Sequence, residues 1–172
     1  MLGIALIIAT IPSMTSRAEA YTLSGCKYNT TSIKYYYDNF VSARGKSFIG
    51  QGAAAWSGVH ASLAFGNPYK VYTTEGTVSG VSWDGMTSIS CSGGITTSAA
   101  LTWNMSATAT WNSDGALKSV SMHEFGHVFG LNENGTTKTI MNAHTWGTNS
   151  RWGTYALSSP QTDDKNGVNY LY

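Results

Sequence analysis

The chain has 172 residues, enough for one domain with a hydrophobic core of its own. Its formal net charge is +1 and only 11% of its residues are charged. A nucleic-acid surface needs clustered Lys and Arg, so we expect no nucleic-acid partner. The 6 Trp, 10 Tyr and 19 Gly residues are typical of extracellular proteins that have many loops.

The N-terminus has features of a secretory signal. The apolar run of residues 2–11 is too short to cross a bilayer of about 30 Å as a helix. Ala18 and Ala20 then supply the small residues that signal peptidase requires, although no Lys or Arg precedes the apolar run. The alternative is a buried N-terminal strand or helix. We predict a signal peptide at 1–20, a mature domain at 21–172, secretion, and no stable membrane association after cleavage.

The chain has two cysteines, Cys26 and Cys91. An even number of cysteines in an exported chain favours one disulfide. Such a bond would close a long loop and add about 4 kcal/mol to the free energy of unfolding. The alternative is that both residues are unpaired, buried thiols.

The first half of the mature chain is predicted to contain strands and one helix. Ser32–Tyr37 is rich in β-branched and aromatic residues, which favours a strand. From Lys46 to about Val59 the apolar residues recur at helical spacing, although Gly50 and Gly52 weaken that prediction. Four further segments are predicted as strands: Tyr69–Thr74, Thr77–Trp83, Met86–Cys91 and Ile95–Asn104.

A second helix is predicted from about Ala116 to Phe129, with Ser113 or Asp114 as its N-cap. Apolar residues surround most of this helix, which is typical of a buried one. Gly130 follows where a left-handed residue would end it. A long irregular stretch is then expected over residues 131–157.

A short helix closes the chain. Ser158 and Gln161 form a candidate capping box at its start, and Asp163 and Asp164 lie near the positive end of its dipole. The pattern contains no repeat and no second domain. We therefore predict an α/β domain (α+β) with a mixed, twisted sheet, two long helices and this short C-terminal helix.

The predicted buried helix carries His123, Glu124 and His127 in the spacing His-Glu-x-x-His. Residues i and i+4 share one helix face, so both imidazoles can bind one metal ion. Glu124 points about 100° away from His123, where it can contact a water on the metal without binding the metal. Zinc lowers the pKa of such a water and a carboxylate accepts its proton, which is the chemistry of a zinc hydrolase.

A zinc site of this kind needs a third protein ligand, for which Glu133 is the candidate. Gly130 permits a sharp turn with positive φ that can bring residue 133 back toward the metal. The alternative is that Glu133 is a solvated loop carboxylate and that His144 or water completes the metal shell. In the first case, His144 is a candidate for lining the substrate pocket.

The string His123-Glu-x-x-His127-x-x-Gly130-x-x-Glu133 resembles the zinc motif of the metzincin metalloproteases. Thr139-Ile140-Met141-Asn142 resembles the Met-turn of that clan, a tight turn that places a methionine beneath the metal. Without this resemblance, the methionine would be read as an ordinary core residue.

The C-terminal region, from Leu157 to Tyr172, resembles the last helix of the matrixin branch of the metzincins. In that branch the second of two adjacent Asp residues ties the helix to the Met-turn, which implies this role for Asp164. The resemblance implies a metzincin-like catalytic domain with an active-site helix, a Met-turn and a C-terminal helix. Metzincins normally have His at the position of Glu133, so the chain resembles a minimal, bacterial-type matrixin-like protease with Glu as its third ligand.

The resemblance also implies where a substrate would bind. Trp146, Trp152 and Tyr155 fall in the segment that forms the wall of the S1′ pocket in metzincins, although large aromatic residues also anchor long loops. An extended peptide is expected to lie antiparallel to an edge strand, for which Met86–Cys91 is the candidate.

The sequence thus predicts a secreted zinc-dependent endopeptidase with one catalytic Zn²⁺. His123, His127 and Glu133 are the expected ligands, and Glu124 is the expected catalytic residue. The expected partners are protein or peptide substrates, and we expect a monomer. Acidic clusters are scarce, so nothing indicates a calcium site. Two alternatives are a metzincin-like zinc-binding module without catalysis, and a secreted β-rich binding protein with an incidental motif.

Overall fold

The computed structural model describes residues 21–172, so the predicted signal peptide lies outside the described residues. Residues 21–172 form a mixed five-stranded sheet, a two-stranded sheet and four helices, which confirms the predicted α/β class. The strands are β1 (Thr22–Leu23), β2 (Ser32–Tyr37), β3 (Ser62–Phe65), β4 (Val71–Gly76), β5 (Gly85–Ser92), β6 (Ile95–Asn104) and β7 (Leu131–Asn132). The helices are α1 (Ala43–Ala54), α2 (Thr108–Trp111), α3 (Asp114–Phe129) and α4 (Thr162–Leu171).

The large sheet has the strand order β3-β2-β4-β6-β5. Its neighbouring strands are parallel except β5, which pairs antiparallel with β6 at one edge of the sheet. Gly93 and Gly94, both at positive φ, form the two-residue turn between these two strands. The prediction that Met86–Cys91 belongs to an edge strand is therefore confirmed.

One face of the large sheet is covered by α1 and α3. Val71 of β4 and Leu101 of β6 point toward the helices and are fully buried, as are Ile49 of α1 and Phe125 of α3. The alternate side chains of β4 and β6 point to the opposite, more exposed face of the sheet, as the two-residue period of a strand requires. No helix within residues 21–172 combines the length and the apolar character that crossing a bilayer requires.

Helix α1 begins and ends earlier than the predicted Lys46–Val59. Ser42 is its N-cap, and the Ser42 hydroxyl accepts a hydrogen bond from the Gly45 N–H at 3.0 Å. The helix ends at Ala54, and the following residues form turns. The serine cap therefore determines where α1 begins, whereas the apolar period continues past the residue at which the helix ends.

The strand predicted at Thr77–Trp83 is wrong, because this segment is an irregular loop between β4 and β5. Its backbone groups bond to a buried side chain instead of a neighbouring strand. The Asn104 side chain accepts from the Val78 N–H and donates to the carbonyls of Val78 and Trp83, each at 3.1 Å. The sequence also gave no prediction for β3 or α2, which are too short, at four residues each, to show a period.

Local capping interactions determine where α3 begins and ends and where α4 begins. Ser113 is the N-cap of α3, which starts two residues before the predicted Ala116, and Gly130 ends it at a φ of 103°, as predicted. The capping box predicted from Ser158 and Gln161 is wrong. The observed box pairs Gln161 with Asp164, whose carboxylate accepts the Gln161 N–H at 2.7 Å.

The predicted disulfide between Cys26 and Cys91 is present and links the N-terminal segment to the edge strand β5. Close by, β1 pairs antiparallel with β7, the short strand that follows α3 directly. The Ser24 N–H also donates to the Gly130 carbonyl at 2.9 Å. The N-terminal segment therefore packs against the end of α3, beside the turn that leads to Glu133.

Candidate metal centre

His123, His127 and Glu133 come together at the C-terminal end of α3. The two histidines lie about one turn apart on the helix, and the left-handed Gly130 turns the chain so that Glu133 returns toward them. One ligand atom of each residue lies within 4.8 Å of the other two. Two imidazole nitrogens and one carboxylate oxygen form a donor set that zinc accepts.

Backbone carbonyls fix the orientation of both imidazoles. Ile140 O lies 2.9 Å from His123 Nδ1, and Leu131 O lies 3.0 Å from His127 Nδ1. A carbonyl oxygen only accepts hydrogen bonds, so each Nδ1 carries a proton and each Nε2 is the ring nitrogen left to bind a metal ion. The two Nε2 atoms face each other at 3.1 Å.

This arrangement of the two imidazoles fits zinc. Two zinc–nitrogen bonds of about 2.0–2.1 Å at a tetrahedral angle place the nitrogens roughly 3.3 Å apart. The two Nε2 atoms face each other at 3.1 Å, close to this separation, so one metal ion could take a lone pair from each. Burial lowers the pKa of His123 well below its usual value, which favours the neutral imidazole that a metal ion binds.

Glu124 is buried beside the two histidines but does not belong to the cluster of ligand atoms. Its Oε2 accepts a hydrogen bond from the Thr87 hydroxyl of β5 at 2.7 Å. Burial raises the pKa of the Glu124 carboxyl. Gly85 of the same strand permits this close approach, because a Cβ there would lie 2.9 Å from Glu124 Oε1. The carboxylate is thus held between α3 and the edge strand.

The Met141 side chain packs against α3 at Gly126. A Cβ on Gly126 would lie only 2.2 Å from Met141 Sδ, so the thioether uses the space that this glycine leaves on the helix. The Asp164 carboxylate accepts the N–H groups of Ile140 and Met141 at 2.8 and 3.1 Å. Helix α4 is thereby bonded to the turn, and the same turn supplies the Ile140 carbonyl that orients His123.

A cleft of about 410 Å³ lies over His123, His127 and Glu133, between β5 and the loop that follows the turn at Met141. His144 and Trp146 line this cleft, whereas Trp152 and Tyr155 are not among its lining residues. Trp152 packs against the first turn of α3, since a Cβ on Gly115 would lie 1.9 Å from Trp152 Cη2. Its position agrees with the alternative that a large aromatic residue anchors the loop.

Several cleft residues were not singled out from the sequence, among them Asp84 and Arg151. Thr87 lies within the predicted edge segment Met86–Cys91, but the sequence assigned it no role of its own. Arg151 is 3% exposed, and burial lowers its pKa to about 10, so it is charged at neutral pH. A single Arg in an irregular loop, or a single Thr in a strand, gives no local signal. Only the fold brings these residues to the metal cluster.

Comparison with known proteins supports this architecture. A search of curated proteins finds no match. Among solved structures, "GM1 bound form of the ECX AB5 holotoxin" has a TM-score of 0.57 at 14% identity, over 89% of this chain and 88% of that chain. At this identity the similarity shows the fold alone. A family model described as matrixin matches residues 49–172, most of the chain and all of the candidate metal centre, so the chain belongs to the matrixin family.

Proposed function

We propose that this protein is a secreted zinc-dependent endopeptidase. One observation carries the proposal: the Nε2 atoms of two histidines and the Glu133 carboxylate converge beside a buried glutamate, Glu124, that is outside the ligand cluster. When bound there, zinc supplies Lewis-acid activation of a carbonyl oxygen and of water. Membership of the matrixin family supports zinc metallopeptidase chemistry.

Glu124 is the proposed catalytic base. Its carboxylate accepts a proton from the attacking water and returns it to the leaving amine. The Thr87 hydroxyl orients Oε2, and burial, which raises the carboxyl pKa, makes this carboxylate a stronger base than a solvated one. Met141 is proposed to support the two histidines from below, and Asp164 to anchor the turn that carries it.

An extended protein or peptide substrate is proposed to lie along β5. As the edge strand, β5 has backbone N–H and C=O groups on its outer side that can pair antiparallel with a peptide. His144 and Trp146 line the same cleft and are proposed to contact the substrate side chains. This placement brings the peptide carbonyl over the metal cluster and beside Glu124.

A pair of proteins tests the catalytic proposal. We expect the purified wild type to bind one zinc ion per chain and to cleave an unfolded protein substrate. Glu124→Ala is expected to retain the zinc but to lose roughly 10²–10⁴-fold in kcat/KM, the usual contribution of a general base. A wild type without stoichiometric zinc, or equal cleavage by both proteins, would falsify the proposal.

The third ligand is tested separately by zinc affinity. Glu133→Ala is expected to bind zinc at least roughly tenfold more weakly, because the site loses one of three protein ligands. Glu133→His, which supplies the more usual ligand of the clan, is expected to recover zinc binding. Unchanged zinc affinity in the Ala variant would show that Glu133 is not a ligand.

Secretion is proposed from the signal-like segment at residues 1–20 and from the Cys26–Cys91 disulfide. Disulfides persist mainly in oxidising compartments outside the cytosol. Mass spectrometry of the exported protein is expected to show a mature chain that starts at Tyr21. Retention of the chain inside the cell with residues 1–20 intact would contradict this part of the proposal.

A zinc-binding domain without catalysis is the second candidate function. The observation that favours it is the negative charge of Glu133, because an anionic ligand makes zinc a weaker electrophile than a neutral imidazole does. This candidate predicts stoichiometric zinc together with no cleavage that depends on Glu124. The comparison of wild type with Glu124→Ala therefore distinguishes the two functions.

A further inference from the structure

Arg151 is a buried cation in the wall of the candidate cleft. Its Nη1 donates to the Asn142 carbonyl at 2.8 Å and its Nη2 donates to the Thr145 hydroxyl at 2.7 Å. Its backbone N–H also donates to the His144 carbonyl at 2.9 Å. The backbone bond fixes the loop at Arg151, and the two side-chain bonds hold the guanidinium in the wall of the cleft that His123, His127 and Glu133 also line.

The guanidinium has more donors than its protein partners use. It carries five N–H groups, and the two side-chain bonds use two of them. Nε is buried and has no hydrogen-bond partner. Within residues 21–172 no carboxylate oxygen lies within 4.0 Å of Arg151. Asp84, Glu124 and Glu133 stabilise the charge of Arg151 from beyond this distance, but none of them bonds its spare donors. An incoming carboxylate would give the buried guanidinium a direct partner.

The charges that surround the cleft allow an anion to bind there. Asp84, Glu124 and Glu133 carry three negative charges, whereas Arg151 and a Zn²⁺ ion carry three positive ones. The loaded cleft is therefore neutral overall and does not repel a substrate carboxylate at long range. At short range, the planar fork of a guanidinium matches the two oxygens of a carboxylate better than any other side chain does.

We infer that Arg151 is a specificity-determining residue that binds a substrate carboxylate next to the cleaved bond. The inference rests on the proposed endopeptidase function and specifies its substrate class. The carboxylate is either an Asp or Glu side chain that flanks the cleaved bond or the C-terminal carboxylate of a short peptide. A neutral isostere leaves the same buried donors unpaired, so the cleft discriminates against it.

Matched peptides test the inference in the zinc-loaded wild type. Amidated peptides carry Glu, Gln or Leu at each position that flanks the cleaved bond. We expect kcat/KM for the best Glu peptide to exceed that of its Gln partner roughly 10- to 100-fold, the value of a hydrogen bond to a charged group. A neutral peptide is also compared with its C-terminus free and amidated. This pair tests the second possible source, the C-terminal carboxylate. No preference in any pair overturns the inference and leaves the proposed protease function intact.

Variants assign the preference to Arg151. Arg151→Met is expected to bring the Glu/Gln ratio close to 1, and Arg151→Lys, which keeps the charge but loses the fork, to give an intermediate ratio. Lys138→Met removes one exposed positive charge outside the cleft and is expected to keep the wild-type ratio. The ratio compares two substrates on one protein, so partial unfolding of a variant does not alter it. A wild-type ratio in Arg151→Met overturns the assignment.

Binding without cleavage separates this inference from the proposed function. Zinc-loaded Glu124→Ala is titrated with the Glu and Gln peptides, and we expect roughly tenfold or more tighter binding of the Glu peptide. That difference should disappear in the Glu124→Ala, Arg151→Met double variant. The wild type could fail to cleave any peptide while Glu124→Ala still binds the Glu peptide more tightly than the Gln peptide. In that case the protease proposal fails and the carboxylate site stands. Equal binding of both peptides by Glu124→Ala overturns the carboxylate site.

Discussion

Thr87 is the residue through which the edge strand controls the proposed catalytic base. Its hydroxyl donates to Glu124 Oε2 at 2.7 Å, across the gap between β5 and α3. Within residues 21–172 the Glu124 carboxylate has no other hydrogen-bond partner. Gly85 restricts the same carboxylate by close packing on its other oxygen. The orientation of the base therefore depends on one hydroxyl and one missing side chain.

Replacing Thr87 by Val removes this hydroxyl while keeping the branched shape of the side chain. We expect kcat/KM to fall about tenfold, because one hydrogen bond to a charged group is lost, with the zinc content unchanged. Thr97→Val is the matched control, since Thr97 lies on the neighbouring strand β6 and its hydroxyl bonds the Ser90 carbonyl at 3.2 Å on the exposed surface. Equal rates for the two variants would contradict a positioning role of Thr87.

The candidate site could be predicted from sequence only where its residues lie close together in the chain. His123, Glu124, His127 and Glu133 fall within one helix and the turn that follows it, so helical spacing and a left-handed glycine determine their relative positions. Arg151 reaches the cluster through an irregular loop, along a path that no local pattern encodes. Only the tertiary structure brings this Arg to the candidate metal centre.

Helix α1 shows how packing between elements overrides local propensity. Gly50 and Gly52 lower its intrinsic helix propensity, yet it forms because it packs closely on α3. A Cβ on Gly52 would lie 2.5 Å from Ser121 Cβ, so the glycine lets one helix approach the backbone of the other. The apolar period overestimated its length because Trp56 is also buried, although it lies in the turns beyond the helix, where its Nε1 donates to Met122 O at 3.0 Å.

The two glycines of α1 give opposite predictions for the same substitution. Gly52→Ala is expected to lower the free energy of unfolding by about 1–3 kcal/mol, because the added methyl overpacks the helix interface. Gly50→Ala is expected to raise it by about 0.5–1 kcal/mol, since a Cβ there would make an ordinary contact, 3.4 Å from Tyr37 Oη. Urea unfolding of both variants measures the two effects. Two changes of the same sign would contradict the packing argument.

Helix α4 is connected to the candidate metal centre through one carboxylate. Asp164 is 1% exposed and accepts three backbone N–H groups, from Gln161, Ile140 and Met141. The Ile140 carbonyl in turn orients His123, so a change at Asp164 is transmitted to a proposed ligand.

Asp164→Asn is expected to lower the free energy of unfolding by about 2–4 kcal/mol, because an amide group cannot accept all three N–H bonds in this geometry. Zinc affinity is expected to fall roughly 10- to 100-fold, as for other changes that disturb the partner of a ligand. Asp163→Asn, in the same first turn but more exposed, is expected to change the free energy of unfolding by at most about 1 kcal/mol. Chemical denaturation and zinc titration of both variants test these values, and equal behaviour would refute the proposed anchor.

In the whole molecule, the candidate metal centre lies where distant parts of the chain meet. Strand β5 forms one wall, α3 the floor, and the loop after Met141 the other wall. The N-terminal segment packs on the end of α3, where a Cβ on Gly130 would lie 2.3 Å from the Cys26 carbonyl. The class of the fold followed from the order of elements, but the pairing of β1 with β7 did not, because two-residue strands more than a hundred residues apart leave no pattern.

The disulfide is expected to stabilise this arrangement without taking part in the chemistry. Cys26 and Cys91 are 65 residues apart, so the bond restricts the unfolded chain strongly, by about 4 kcal/mol in the loop-entropy estimate. The pairing of β1 with β7 does not involve either cysteine, so we expect it to persist when the bond is absent, and neither cysteine lines the cleft. In the Cys26→Ser, Cys91→Ser variant, the free energy of unfolding is therefore expected to fall by about 2–4 kcal/mol. Its kcat/KM at 25 °C is expected to stay within about threefold of the wild-type value. Wild type in reductant should match the variant, and reductant should not affect the variant itself. Equal unfolding of oxidised and reduced wild type would show that strand pairing alone holds the N-terminal segment.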